Sequence, residues 1–270
     1  MWEKVNNITT AIRSRIQFLP QAGIILGTGL GGLVNEIKRP TGILYKDIQG
    51  FPLTTVEGHR GRLIFGQLGN KEVMVMQGRI HFYEGISMQD IALPICVMKQ
   101  LGINLLILSN ASGGINPSFQ IGDLMLVTDQ INLMNAYPLV DSHDPLFVNP
   151  HPDMRDVFDS GIITMAKQVA QIHHIPLKSG VLAAVTGPVF ETKAEYAYIR
   201  YLGADAVGMS IIPETIAARQ LGLPCFAVTV ISDLGIPGRV TKVSHEEVQL
   251  AASQTEPNMT VLITKLLESM

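Results

Sequence analysis

The chain has 270 residues, of which 47% are hydrophobic and 16% charged, with a net charge of −3 at neutral pH. This composition suffices for a buried core, and the absence of a basic surplus argues against a nucleic-acid partner. The first residues lack the apolar core of a secretory signal, and no stretch reaches the roughly 20 apolar residues of a membrane span, so we expect a cytoplasmic protein without membrane contact.

Apolar segments of strand length alternate along the chain with segments of helical periodicity. This alternation, without internal repeats or a linker, predicts a single α/β domain over residues 1–270 around a largely buried sheet. The predicted strands are 22–26, 62–68, 72–78, 104–110, 123–129, 180–187, 205–210 and 225–232, and the predicted helices are 6–17, 88–101, 156–173, 193–202, 213–221 and 245–267.

A glycine cluster, GTGLGG at residues 27–32, follows the first predicted strand. It satisfies the G-x-G-x-x-G pattern of dinucleotide-binding loops, and Asp47 lies about 20 residues further on. Only LVNEIKR separates Gly32 from Pro40, about two helical turns, which is short for the crossover helix of a βαβ unit. The spacing favours either a tight turn or a loop whose Thr28 hydroxyl and backbone N–H groups hold an anion.

Two segments with His and Arg beside glycines come next. EGHRGRLIFG contains His59 and Arg62, and GRIHFYEG places Arg79, His81 and Tyr83 at alternate positions. In an extended segment alternate side chains point to one side, so a guanidinium fork, a His donor and a Tyr hydroxyl would converge on one ligand. An exposed Arg with a buried His and Tyr is the alternative for each residue alone. The three together favour a site.

Small or polar functional residues follow successive predicted strands. Ligands of α/β proteins collect at the carboxyl ends of strands, so we expect one shared pocket lined by Thr28, Asn110, Glu191, Ser210 and Asp233. SNASGG at 109–114 indicates a second loop that can bind an anion. Phe190 would stack on a planar ring whose N–H is accepted by the Glu191 carboxylate, and a helix-capping role for Glu191 is the alternative.

The longest segment without periodicity is 134–156, which contains four prolines, at positions 138, 145, 150 and 152. A loop of this length is typical of a functional lid, an interface arm or a disordered segment. Cys96 and Cys225 lie in apolar runs without metal-ligand spacing, so we expect both to be buried and reduced. The mean hydropathy of +0.27, with only 16% charged residues, fits either a homo-oligomer that covers part of the apolar surface or a large core, and we expect a homo-oligomer.

Long motifs add a resemblance to a known family. The chain carries, in this order, GTGLGGL, EGHRGRL, GRIHFYEG, NASGGINP, GDLMLVTDQINL, GPVFETKAE, LGADAVGMS and SHEEV. They resemble the trimeric purine nucleoside phosphorylases, in particular the branch preferring 6-oxopurine nucleosides, with the methylthioadenosine phosphorylases as near relatives. The resemblance implies a mixed central β-sheet extended into a distorted barrel and flanked by helices. It also implies a homotrimer that acts in purine salvage, splitting nucleosides such as inosine and guanosine with phosphate, without metal or organic cofactor.

The resemblance further implies roles for individual residues. The phosphate site would be Thr28, His59, Arg79, His81, the backbone of Ala111, and Ser210. The ribose would contact Tyr83, Met209 and His245, and the base would contact Ser112, Phe190, Glu191, Val207 and Asp233. His81, Glu191 and Asp233 would be the catalytic residues, and His151 would reach the ribose end of a neighbouring subunit's site.

Two positions depart from the family pattern. The 6-oxopurine enzymes have Asn where this chain has Asp233, and the methylthioadenosine branch has Asp; His151 stands at the position of a family phenylalanine. An ionised Asp can only accept hydrogen bonds, so Asp233 must be protonated to donate to purine N7. Glu191, in contrast, suits the N1–H of a 6-oxopurine. These departures make a methylthioadenosine or adenosine-accepting phosphorylase the alternative within the family. A nucleoside-binding regulatory protein on the same fold and, from the glycine pattern, a nicotinamide dehydrogenase are alternatives of other classes.

Overall fold

One mixed sheet of nine strands dominates the computed structural model, which describes residues 1–138, 151–240 and 243–270. The strands are β1 (Ala22–Leu26), β2 (Lys38–Leu44), β3 (Arg62–Leu68), β4 (Lys71–Gln77), β5 (Leu105–Gly114), β6 (Leu124–Asn132), β7 (Leu177–Ala184), β8 (Ala206–Gly208) and β9 (Cys225–Leu234). The helices are α1 (Trp2–Arg13), α2 (Met88–Gln100), α3 (Ser160–Ile172), α4 (Lys193–Tyr201), α5 (Ile212–Gln220) and α6 (His245–Glu268).

The sheet closes on itself at one end. Its strand order is β2-β3-β4-β1-β5-β8-β7-β6-β9, and β9 pairs again with β5, so the last five strands form a barrel. In the open part, β1 runs parallel to β4 and β5, whereas β2, β3 and β4 are antiparallel neighbours. The predicted mixed sheet that extends into a distorted barrel is therefore confirmed.

Helices cover both faces of the sheet. Ile25 of β1 packs into the apolar cluster that contains α1, α2 and α5, whereas Ile24 and Leu26 pack into the cluster that contains α3 and α6. Successive side chains of a strand alternate between its faces, so an uninterrupted apolar strand such as AGIIL is buried on both. Among the described residues no helix is both long and apolar enough to cross a membrane. Cys96 and Cys225 are buried free thiols, as predicted.

The structure differs from the predicted elements in several places. The first helix spans Trp2–Arg13 instead of 6–17, and β2 was not predicted because this mostly exposed strand, KRPTGIL, has no apolar alternation and contains Pro40. The predicted loop at 109–114 is wrong: these residues continue β5, where Ala111 pairs with Val230 of β9. Neighbouring strands of the barrel complete the hydrogen bonds of this small-residue segment, which carries no β propensity of its own.

The glycine cluster does not open a crossover helix. Residues Gly31–Glu36 form a 3-10 helix, and the chain passes through β2 and β3 before β4 pairs with β1. A Cβ at Gly29 would lie 2.6 Å from the Cβ of Ala252, and one at Gly32 would lie 2.6 Å from Glu256 Oε2. These glycines thus allow α6 to pack closely against the loop, which is not the geometry of a dinucleotide fingerprint.

Of the predicted lid or interface arm at 134–156, residues 139–150 lie outside the described part of the chain.

Candidate active site

One cavity of about 310 Å³ gathers nearly all of the predicted site residues. The five polar residues expected to share a pocket all line it, which confirms that prediction. Asn110 and Asp233, however, lie within β5 and β9 rather than after them, because the barrel strands continue past the apolar runs. The other predicted residues in the wall are Arg79, His81, Tyr83, Ala111, Ser112, Phe190, Val207, Met209 and His245.

Arg79 lines the cavity and is 1% exposed. Its Nε donates to Glu214 Oε1 at 2.6 Å and its Nη1 donates to the backbone carbonyl of Ser109 at 2.5 Å. Its buried Nη2 has no hydrogen-bond partner among the residues that the structure describes. A buried guanidinium always carries its charge. Two of its three nitrogens donate hydrogen bonds to the protein here, and the third can donate to a ligand. An anion in the cavity would satisfy that third nitrogen.

Ser210 lies two residues before α5, separated from its first turn by Ile211. Helix N-termini favour anions because their backbone N–H groups lack partners within the helix. The intervening residue, Ile211, has φ of 75°, a conformation that is strained for a β-branched residue and characteristic of functional sites. Asn110 Nδ2 donates to Ser210 Oγ at 3.4 Å, and a Cβ at Gly208 would approach that amide to 2.9 Å. The turn therefore holds the Ser210 hydroxyl at the positive end of α5.

His59 supports Thr28 without lining the cavity itself. Its Nδ1 donates to the backbone carbonyl of Arg79 at 2.8 Å, since a carbonyl can only accept. Burial, reinforced by the charges of His81 and Arg79, lowers the pKa of His59 to about 4, so the ring is neutral near pH 7. Nε2 is then an acceptor for the Thr28 hydroxyl at 3.2 Å. Thr28 in turn lines the cavity.

His81 is oriented by a carboxylate that the sequence interpretation did not single out. Glu84 Oε1 accepts hydrogen bonds from His81 Nδ1 at 3.1 Å and from the His81 backbone N–H at 2.7 Å. Burial would raise the pKa of Glu84, but these bonds and others from Thr55 outweigh burial and bring it to about 2. Burial lowers the pKa of His81 despite the bond to Glu84. The ionised Glu84 therefore keeps a proton on Nδ1 of His81, so Nε2 of the neutral ring is a hydrogen-bond acceptor.

Tyr83 reaches the same side as His81, but not by strand alternation. His81 is extended, whereas Tyr83 lies in a short 3-10 helix, Phe82–Glu84. The two rings stack with centroids 4.7 Å apart and an interplanar angle of 15°. The predicted convergence on the cavity is confirmed, and the predicted extended geometry is wrong because the turn rotates Tyr83 onto His81.

Two carboxyl groups, the buried Asp233 and the half-buried Glu191, also line the cavity. Burial is the main cause that raises the pKa of both Glu191 and Asp233. Asp233 Oδ1 accepts from Ser232 at 2.9 Å and its Oδ2 accepts from Tyr196 at 3.4 Å. Glu191 is not a helix cap, because the capping box of α4 is formed by Thr192 with Glu195. Phe190, 43% exposed, supplies an aromatic wall beside these carboxyls.

The remaining predicted residues line two different cavities. A capping box of Ser244 with Glu247 starts α6 at His245, whose Nε2 accepts from Gln249 at 2.9 Å. His245 lines the cavity together with Met209. His151 lines a different cavity with Tyr137 and Met154. Its expected contact with a neighbouring subunit stays a prediction.

Sequence reasoning missed four residues that hold the site, which are Glu84, Tyr196, Glu214 and Ser232. Glu84 follows His81 by three positions, a spacing that brings side chains together in a helical turn and was available as a signal. Glu214 pairs with Arg79 across a separation of 135 residues, which no local pattern reveals. Within the described ranges, no group of three or more His, Cys, Asp or Glu side chains is arranged to hold a metal ion.

Comparison with known proteins places this geometry among phosphorylases. The signature of the Phosphorylase superfamily matches residues 21–268. Purine nucleoside phosphorylase 1 of Bacillus subtilis is 40% identical over 263 residues, covering 97% of each chain. Its namesake in Geobacillus stearothermophilus is 44% identical over 246 residues, covering 88% of this chain and 90% of the relative. The crystal structure of Schistosoma mansoni purine nucleoside phosphorylase in complex with adenosine matches with a TM-score of 0.94 at 36% identity, covering 99% of this chain and 97% of that chain.

Proposed function

The chain belongs to the purine nucleoside phosphorylases of the phosphorylase superfamily, and we propose that it splits purine ribonucleosides with phosphate into free base and ribose 1-phosphate. It is an enzyme, a pentosyltransferase. One observation carries the proposal: a single cavity is lined by a buried, partly unpaired guanidinium and by two carboxyls, one buried and one half-buried, together with an aromatic side chain. The guanidinium suits a phosphate, and the carboxyls with the aromatic side chain suit a purine.

The proposed reaction depends on charge and position. The ribosyl group becomes cationic between the attacking phosphate and the departing base, so fixed charges and alignment lower the barrier. Arg79, the Ser210 hydroxyl and the Thr28 hydroxyl would hold the phosphate, with His59 orienting Thr28 and Glu84 orienting His81. Phosphate is the co-substrate, and we propose that no metal or organic cofactor takes part.

The base would be recognised by Glu191 and Asp233. An ionised Glu191 would accept the N1–H of a 6-oxopurine, and a protonated Asp233 would donate to N7 and share charge with the leaving base. The raised pKa of Asp233, caused mainly by burial, supports a proton on this group. We propose that inosine and guanosine are preferred and that adenosine is also accepted, with a methylthioadenosine phosphorylase as the alternative.

We further propose a homotrimer that acts in purine salvage in the cytoplasm. Supporting an oligomer, apolar side chains are exposed on α4 and just before it: Val189 is 76% exposed, Tyr198 60% and Tyr201 88%. Such a face is typical of an interface. Sedimentation should give a mass three times that of the chain. Dilution to monomer should abolish activity if a neighbouring subunit contributes His151.

The test of the function is phosphate-dependent cleavage of inosine, guanosine, adenosine and methylthioadenosine, measured side by side at equal concentration. Release of base that requires phosphate supports the proposal, and release from none of the four refutes it. Nucleoside binding without cleavage would favour the regulatory alternative, and NAD binding in a fluorescence titration would favour the dehydrogenase. Faster cleavage of the two 6-aminopurine nucleosides would assign the chain to the methylthioadenosine branch.

The variant Asp233→Asn tests the base preference. Asn can donate to N7 and accept at the same time without binding a proton, so the variant should favour 6-oxopurines more strongly than the wild type. The measurement is the ratio of kcat/KM for inosine to that for adenosine. An unchanged ratio would remove Asp233 from the explanation of specificity.

A further inference from the structure

A glutamine outside the proposed active site contacts the ring of His245. α6 begins at His245, and side chains four positions apart lie on the same face of a helix. Gln249 Nε2 is 2.9 Å from His245 Nε2 and donates to the backbone carbonyl of Glu57 at 3.1 Å. His245 and Glu57 line the active-site cavity, whereas Gln249 lines a neighbouring cavity. The glutamine therefore reaches the site through these two residues.

The Glu57 carbonyl determines which end of the Gln249 amide faces the ring. A carbonyl oxygen only accepts hydrogen bonds, whereas the amide nitrogen has two hydrogens to donate. One hydrogen is donated to Glu57, and the other is available to His245 Nε2. With the amide turned over, its oxygen would lie about 3.1 Å from the carbonyl oxygen, and neither atom could donate. His245 Nε2 is therefore an acceptor.

Two glycines make room for this arrangement. Gly58 has φ of 86°, and a Cβ there would lie 2.8 Å from Gln249 Nε2. A Cβ at Gly29 would lie 2.8 Å from the Gln249 backbone oxygen. Only glycine allows both loops to approach Gln249 so closely. The amide is therefore held in place by the packing around it.

The contacts of Nε2 fix the tautomer of His245. A neutral imidazole carries one proton, on Nδ1 or on Nε2, and the nitrogen without it is the acceptor. His245 Nε2 is 3.5 Å from the Glu57 carbonyl, which is too long for a good hydrogen bond donated by Nε2. Within the described residues Nδ1 has no hydrogen-bond partner. Nδ1–H is therefore the group that His245 offers to a ligand in the cavity.

We propose that Gln249 is a positioning residue that sets specificity at the ribose end: by holding His245 as the Nδ1–H tautomer, it selects nucleosides with a hydrogen-bond acceptor at C5′. A hydroxyl or ether oxygen accepts well, a thioether sulfur only weakly and a methyl group not at all. Without Gln249 the partner left to Nε2 is the Glu57 carbonyl, which can only accept. The proton is then held on Nε2, and the bare Nδ1 accepts from a ligand instead of donating. This inference rests on the proposed function and on the expected contact of His245 with the ribose.

The tautomer is tested by ¹⁵N NMR of the ring at about pH 8, above the range in which histidine normally titrates. The His245 signals are assigned by their loss in His245→Asn. The wild type should show a protonated Nδ1 and a bare Nε2. Gln249→Met, which keeps an unbranched side chain but has no donor, should show the reverse. A wild-type ring with its proton on Nε2 would overturn the inference, because Gln249 would then be an acceptor.

The specificity is tested by kcat/KM for inosine, 5′-O-methylinosine and 5′-deoxyinosine, whose C5′ groups donate and accept, only accept, and do neither. In Gln249→Met the hydroxyl of inosine can donate to the bare Nδ1, so its kcat/KM should change by less than about twofold. The ether loses its donor, and kcat/KM for 5′-O-methylinosine should fall by about three- to tenfold, the equivalent of one hydrogen bond. The value for 5′-deoxyinosine should stay unchanged. The O-methyl group has the same bulk in both proteins, so the comparison isolates the hydrogen bond.

The matched control is Gln254→Met, at an exposed position of the same helix, which should leave all three values unchanged. An equal loss for the three substrates in Gln249→Met, or an unchanged ratio of inosine to 5′-O-methylinosine, would overturn the inference. Calorimetry without phosphate gives the same ratio from the Kd values of the two nucleosides, without requiring turnover. If Gln249→Met weakens binding of the ether alone, but the wild type cleaves no nucleoside with phosphate, the proposed function is refuted and this inference is supported.

Discussion

Removing the charge of Glu214 should destabilise the protein in a way that phosphate repairs. Arg79 Nε and Glu214 Oε1 are 2.6 Å apart, and the two side chains are only 1% and 3% exposed. Surface ion pairs stabilise a protein by about 0 to 1 kcal/mol, and this range does not apply to a buried pair. Breaking a buried pair from one side costs about 3 to 5 kcal/mol, because the remaining charge stays desolvated. The variant Glu214→Gln keeps an acceptor for Nε, so we expect about 3 kcal/mol, which corresponds to a drop in Tm of roughly 6 to 12 °C.

Phosphate distinguishes this explanation from a simple packing defect. An anion beside Arg79 would supply the charge that the variant lacks, and a ligand at 100 times its Kd stabilises the folded state by about 2.7 kcal/mol. The site of Glu214→Gln carries one negative charge less, so phosphate should bind it more tightly and raise its Tm by more than in the wild type.

The assay is thermal unfolding at one fixed protein concentration, with phosphate or with chloride at equal ionic strength. Glu3→Gln, at an exposed position on α1, is the matched control and should change stability by less than about 0.5 kcal/mol. Wild-type stability of Glu214→Gln in chloride, or a loss that phosphate does not reduce, would refute the reasoning.

Two further predictions concern the glycine loop and His59. In Gly27→Ala the new Cβ would lie 2.7 Å from Asn110 Cα and from the Ser109 carbonyl oxygen. The free energy of unfolding, measured in urea, should therefore fall by about 1 to 3 kcal/mol, and the KM for phosphate should rise. The control is Gly42→Ala, whose new Cβ has its nearest neighbour at 3.9 Å and which should match the wild type. Equal behaviour of the two variants would contradict this prediction. The pKa of His59 is about 4 in the folded protein against 6.5 for the free side chain, so as pH falls below 6.5 the unfolded chain binds this proton first. Without phosphate, the free energy of unfolding should fall from pH 6.5 towards pH 4. The variant His59→Gln should make this pH dependence less steep, whereas the control His173→Gln, at an exposed position, should not. An unaltered pH dependence in His59→Gln would count against a buried neutral ring.

The sequence by itself determined the fold class and the composition of the cavity. Alternating apolar runs and helical periodicities predicted the α/β sheet, because the buried face of each strand or helix requires apolar residues at regular spacings along the sequence. Polar residues at the ends of apolar runs predicted one shared pocket, and Thr28, Asn110, Glu191, Ser210 and Asp233 all line it. The rule on strand ends sufficed even where a strand continued further than expected, since Asn110 of β5 and Asp233 of β9 still line the same cavity.

Only the tertiary structure decided which side chains hold these residues in place. Arg79 pairs with Glu214, Asn110 with Ser210 and Tyr196 with Asp233, over separations of 135, 100 and 37 residues. Closure of the barrel through the pairing of β5 with β9 brings such distant segments together. A local pattern reports whether a residue is buried, but not which distant residue lies opposite it. For this reason the sequence predicted which residues line the cavity, but not the ion pair of Arg79 with Glu214 or the hydrogen bond of Tyr196 with Asp233.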